Sequence, residues 1–180
     1  MYKLICFLAI LGSTLAQTRL QWSLCGPSVL QVSEFDLGTM PITHPGPMPF
    51  ILAGKSIREI RGAVKSTVTI KRTVSGITLP ITCYLVDGNY VGSCTYPDLC
   101  LLLKSVLGYD ANSCPQNLID NNIDCTCPFK LPARELNVDV VADLPDATTS
   151  SITWIASGSF DVKVEASDSV GQPSKRILFI

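Results

Sequence analysis

The chain has 180 residues, with 14 Lys and Arg against 15 Asp and Glu, a single His and eight Cys; 47% of it is hydrophobic and 16% charged. A formal charge of −1, with no basic run, leaves no electrostatic footprint for nucleic acid, and no nucleic-acid partner is expected. Charge this sparse, against about 25% in an ordinary soluble domain, implies either a large core or a lining of apolar side chains around something else.

The first residues read as a targeting segment. Lys3 is a positive start, Leu4 to Leu11 is an apolar run too short to span a bilayer, and Thr14-Leu15-Ala16 offers small residues to a signal peptidase. Residues 1–16 are expected to leave as a signal peptide, taking Lys3 and Cys6 with them. The charge then becomes −2, from 13 Lys and Arg against 15 Asp and Glu. Residues 17–180 read as one exported domain, in a compartment that permits disulfides.

Period-two alternation dominates the rest. Trp22 and Cys25 open the domain. A strand is expected over Met48–Ala53. From Val64 to Val74 the even positions read Val, Ser, Val, Ile, Arg, Val and the odd ones Lys, Thr, Thr, Lys, Thr. That is a strand with one buried and one wet face. Ile77–Leu85 reads as the next strand. The segment 95–108 starts at Thr95 with an early Pro97, carries apolar residues at 99, 102, 103, 106 and 107, and stops at Gly108, which predicts one short helix. Leu136, Val138, Val140 and Ala142 alternate with Glu135, Asn137 and Asp139; Phe160, Val162, Val164 and Ala166 alternate with Asp161, Lys163, Glu165 and Ser167. A last strand is expected over Lys175–Ile180. Turns are read at Pro45-Gly46-Pro47, Asp87-Gly88-Asn89 and Gly171-Gln172-Pro173. The class is all-β: an antiparallel β-sandwich or β-cup with one short disulfide-stapled helix.

Six cysteines fall between Cys83 and Cys127, a density that staples a loop-rich segment. Cys125 and Cys127 are too close to bond each other, so each reaches elsewhere, and spacing alone chooses no pairing. Cys25 makes the mature count odd. His44 is remote from the cysteines and beside Pro45, so no metal is expected. With one His and no Gly-x-Ser-x-Gly around any serine, catalytic machinery is missing from the pattern. Asp120 and Asp124 sit in polar loop sequence. The chain is read as a non-enzyme with no cofactor. Trp154, between Ile152 and Ile155 in a Ser/Thr-rich connection, is read either as a core side chain or as part of an apolar loop that dips into a lipid interface.

Tyr90-Val91-Gly92-Ser93-Cys94-Thr95-Tyr96, Leu99-Cys100, Cys114-Pro115, Cys125-Thr126-Cys127-Pro128-Phe129-Lys130, Trp154 and Gly158-Ser159-Phe160 resemble, in order and spacing, the lysosomal monosialoganglioside (sphingolipid) activator family. The family lies in the ML-type lipid-recognition superfamily. Trp22 and Cys25 are similar to its Trp-x-x-Cys start. The resemblance implies an immunoglobulin-like β-cup whose apolar cavity, lined here by Val68, Ile70, Val138, Val140, Phe160, Val162 and Val164, holds lipid chains. It implies the pairs Cys83–Cys94, Cys100–Cys127 and Cys114–Cys125. The family's partner for Cys25 would lie near the C-terminus, where Lys175–Ile180 has no cysteine, so Cys25 is expected unpaired or joined to another molecule. Further implied are a non-enzymatic activator that lifts a glycosphingolipid from a membrane, transient contact with that membrane, and presentation to a β-hexosaminidase-type glycosidase. The sequence leaves two rivals open: a general sterol or phospholipid binder of the same superfamily, and a solid-core β-sandwich interaction module. Alternation alone does not say whether the apolar faces meet or stand apart.

Overall fold

A computed structural model describes residues 20–24, 28–38, 40–43, 45–86, 88–107, 110, 112–123, 125–128, 130–144, 158–168 and 177–179. Two antiparallel sheets form the body. The first has the strand order β11-β3-β2, from Glu135–Leu144, Gly46–Ser56 and Leu30–Asp36. The second has the order β1-β13-β12-β5-β6, from Trp22–Leu24, Ile177–Phe179, Ser159–Asp168, Val64–Val74 and Ile77–Ile81, with β9 (Thr95–Tyr96) also paired to β5. Two small ribbons complete the strands: β4 (Ile60–Arg61) with β10 (Lys130–Leu131), and β7 (Tyr84–Val86) with β8 (Asn89–Val91).

The three-stranded sheet shows how the alternation is used. Val138 pairs with Leu52 and Val140 with Phe50, while Asp139 pairs with Ile51 and Asn137 with Ala53 on the other face. On β2 the phase changes: Val32 pairs with Gly54, but Phe35, an odd position, pairs with Leu52. A β-bulge at Ser33 makes the shift. Without it Phe35 would face solvent and Glu34 the core. The bulged backbone crowds Gly54 so closely, with Val32 Cα 3.1 Å from where a Cβ would stand, that only glycine fits. Pro47 and Pro49 lie inside β3 because β2 pairs only with residues 51–56, leaving their side of the strand without a ladder partner. The expected turn at Pro45-Gly46-Pro47 is therefore the beginning of a strand.

Helix α1 covers Leu99–Leu107. It begins later than the sequence suggests, because Thr95 and Tyr96 are taken by β5 and the capping group is Asp98, whose carboxylate accepts from the Cys100 N–H at 3.0 Å. A second helix, α2 (Gln116–Asp120), was not expected, and Asp120 ends it rather than lying in a loop. Five residues are too few to show a helical period. Helix α2 covers the free edge of β11: Asn117 Oδ1 accepts from the Asp139 N–H (2.8 Å), and Asn121 both accepts from the Asn137 N–H and donates to its carbonyl (3.0 Å each). Amides four residues apart thus stand in for a neighbouring strand. The core lies here. Ile123, Leu131, Leu136 and Val138 are buried together, with Leu30, Phe50, Leu52, Ile60, Leu118 and Val140 packed around them.

Three disulfides join Cys83 to Cys94, Cys100 to Cys127 and Cys114 to Cys125. The longest link, across 27 residues, ties α1 to the segment before β10, and Cys100 is wholly buried. The expected strand Ile77–Leu85 is two strands, because the chain leaves β6 at Thr82-Cys83, makes the β7–β8 excursion and returns through Cys94. Among the described residues no helix is long and apolar enough to cross a membrane, and no group of His, Cys, Asp and Glu could hold a metal.

Candidate functional site

The cross-strand register of the larger sheet lines up its inward positions, most of them apolar, in successive rows. One row reads Trp22, Phe179, Val162, Ile70, Ile81 across β1, β13, β12, β5 and β6. The next reads Leu24, Ile177, Val164, Val68, and a third Ala166, Ser66, Tyr96. Trp22 meets Phe35 of the other sheet edge-to-face at 6.4 Å, and Phe35 meets Phe50 at 5.5 Å, so this face is turned toward the smaller sheet.

Burial along the face is graded. At one end Val64, Ser66 and Tyr96 are buried. Val68, Ile70, Val162 and Val164 are half-buried. At the other end Phe160 is 37% exposed, Val74 41%, Leu79 62% and Ile77 64%. Val138 belongs to the packed core and Val140 to its margin, so these two differ from the half-buried residues of the larger sheet.

The buried end is closed by polar chemistry as well as packing. Asp168, at the end of β12, receives both terminal nitrogens of Arg58, which lies between β3 and β4. This pair joins the two sheets, and the hydrogen bond to Asp168 raises the Arg58 pKa above its ordinary value, keeping the guanidinium charged. The Ser56 hydroxyl donates to the Arg58 carbonyl at 2.7 Å, fixing the same corner. Burial pushes the Tyr96 phenol up, and its hydroxyl donates to the Tyr90 carbonyl at 3.1 Å. Ser66 Oγ is buried on the face without a hydrogen-bond partner. At the opposite end lie the β5–β6 turn, the start of β3 and the two ends of the connection between Leu144 and Ser159.

Ile152, Trp154 and Ile155 belong to that connection; they lie outside the described residues, and so, elsewhere in the chain, do Cys25 and His44. Val74, Ile77 and Leu79 form an exposed apolar rim that alternation alone does not mark, although apolar residues on both sides of Ser75-Gly76 signal it. Such a tip has no core of its own to enter.

No family model matches the chain. It is 26% identical over 149 residues to the ganglioside GM2 activator of Mus musculus, across 79% of this chain and 70% of that protein. It is 26% identical over 149 residues to the ganglioside GM2 activator of Macaca fascicularis, across 79% of this chain and 72% of that one. The mainly antiparallel fold and the clustered disulfides agree with this likeness, and the chain is ganglioside GM2 activator-like.

Proposed function

We propose that this protein is a non-enzymatic lipid carrier and activator. It draws a glycosphingolipid, a ganglioside foremost, out of a membrane, shelters the lipid chains between its sheets and presents the sugar to a soluble β-hexosaminidase-type glycosidase. The observation that carries this reading is the graded apolar face of the larger sheet. Val68, Ile70, Val162 and Val164 in its middle rows are half-buried while the packed core gathers on the smaller sheet and its helix. The name of the curated relatives points the same way.

The physics sets the requirement. Each lipid CH₂ is held in the bilayer by roughly 0.8 kcal/mol, so a carrier must return a comparable apolar area. Four half-buried aliphatic side chains in two adjacent register rows offer such an area with no polar group among them. Exposed Val74, Ile77, Leu79 and Phe160 at the open end suit contact with the membrane during extraction. Chemistry at the glycosidic bond would belong to the partner enzyme. Delivery by secretion, with or without entry to a lysosome, fits the signal-like residues 1–16.

The test is to mix the purified protein with ganglioside vesicles, with and without a soluble β-hexosaminidase. Lipid transfer without the enzyme, and sugar release only with both, are expected. Transfer of sterol or phospholipid alone would reassign it as a general lipid binder. Transfer of nothing would favour a solid-core interaction module, and sugar release by the protein alone would make it an enzyme.

A further inference from the structure

Among the described residues at inward register positions of the two principal sheets, only Arg72 and Asp168 are charged. They occupy opposite ends of one face. Asp168 is buried at the closed end and neutralised by Arg58. Arg72 is half-buried at the open end, directly between Phe160 on β12 and Leu79 on β6. It stands two residues beyond the Val162–Ile70–Ile81 row, roughly 7 Å along the strand. A headgroup whose chains lie on the deeper rows would come to this level.

The turn into β12 lies beside this side chain. Gly158 has φ +126, and a Cβ there would stand 3.3 Å from Arg72 Nε and 3.0 Å from Val74 Cγ2. Glycine at 158 therefore leaves the space beside Arg72 Nε free of a Cβ, which would also crowd the Thr73 carbonyl at 2.9 Å. Arg72 keeps an interaction within the protein, and five N–H donors leave room for a second acceptor.

We propose that Arg72 is an anion subsite at the mouth of the cup. It takes the carboxylate, phosphate or sulfate of a lipid headgroup, through two parallel N–H···O bonds, while the chains rest on Val68, Ile70, Val162 and Val164. The inference rests on the lipid-carrier reading and sharpens it to anionic lipids. A guanidinium suits this task because its planar fork matches such oxygens and because it sheds water more readily than an ammonium.

The experiment measures transfer of three labelled lipids at trace level from uncharged vesicles: a sialylated ganglioside, phosphatidylglycerol and neutral glucosylceramide. Wild type is compared with Arg72→Gln, Arg72→Lys and Lys71→Gln, with melting curves for each. Lys71 precedes Arg72 on β5 but pairs with Asp161 on the outer face, so its variant removes the same charge from the wrong side. Wild type is expected to favour at least one anionic lipid over glucosylceramide. Arg72→Gln should cut transfer of that lipid about tenfold and leave glucosylceramide unchanged. Arg72→Lys should lie between, and decides the matter if Arg72→Gln fails to fold. Lys71→Gln should match wild type. The anionic lipid that responds identifies carboxylate or phosphate as the group bound. If the Arg72 variants lower all three lipids alike, or none, or if Lys71→Gln reproduces the effect, the subsite is overturned while the carrier reading stands. If wild type moves no lipid, the carrier reading itself fails and the subsite with it.

Discussion

The two sheets spend the same kind of side chain differently. On the smaller sheet, Leu136, Val138, Leu52 and Phe50 meet Leu118, Ile123, Ile60 and Leu131, and the aliphatic surface is used up within the protein. On the larger sheet an equally regular inner face passes along its strands from burial at Val64 and Ser66, through half-buried Val68 and Ile70, to exposure at Val74, Ile77 and Leu79. Both have period-two sequences. The difference comes from what is stapled opposite. Two of the disulfides fold the 99–131 segment on itself, the α2 amides fix it to β11 and the β4–β10 ribbon ties it beside Arg58, while no described helix covers the β5–β6 end. A half-open face is a poor way to stabilise a fold and a good way to hold a lipid.

The largest effect should come from removing the staple. Replacing Cys100 and Cys127 together by Ser should cost about 2–5 kcal/mol of stability, read by urea denaturation, because a bridge across 27 residues, buried at its Cys100 end, holds α1 down. A loss below that range would mean that packing alone secures this end. The contrast between the sheets is sharpened by a pair of truncations. Leu136→Ala should cost about 2–5 kcal/mol. Ile70→Ala should cost clearly less in the lipid-free protein, yet reduce lipid transfer more. Equal costs would place Ile70 in a solid core. Trp154→Ala is expected to weaken binding to vesicles with little change in melting temperature, and a loss of about 3–5 kcal/mol would instead put the indole in the core. The smallest effect should come from Ser66→Ala. Its hydroxyl is buried without a partner, so the variant should match wild type or gain about 1 kcal/mol.

Much of this was legible from residue order. β5 runs over Val64–Val74 as its alternation says, and β11 and β12 enclose the alternating runs at 136–142 and 160–166. What escaped was local. β2 hides its strand pattern behind a bulge that moves Phe35 out of phase with Val32. Helix α2 is too short for a period and matters through Asn117 and Asn121, whose task of pairing a strand edge has no sequence signature. Thr95 and Tyr96 look like a helix start and serve as strand. The grading of exposure along one face was beyond reach, since alternation names the inward residues without saying how far away the opposite wall stands.

The central claim is that the larger sheet's inner face opposes a lipid. The most direct measurement is ganglioside transfer between vesicles by wild type and by the double variant Val68→Thr, Val164→Thr. The two positions are register partners in the middle of the face, and the change keeps their shape while adding two hydroxyls. Wild type is predicted to transfer ganglioside and the variant to fall by about tenfold with its melting temperature nearly unchanged. Absence of transfer by wild type, or undiminished transfer by the folded variant, would contradict the account.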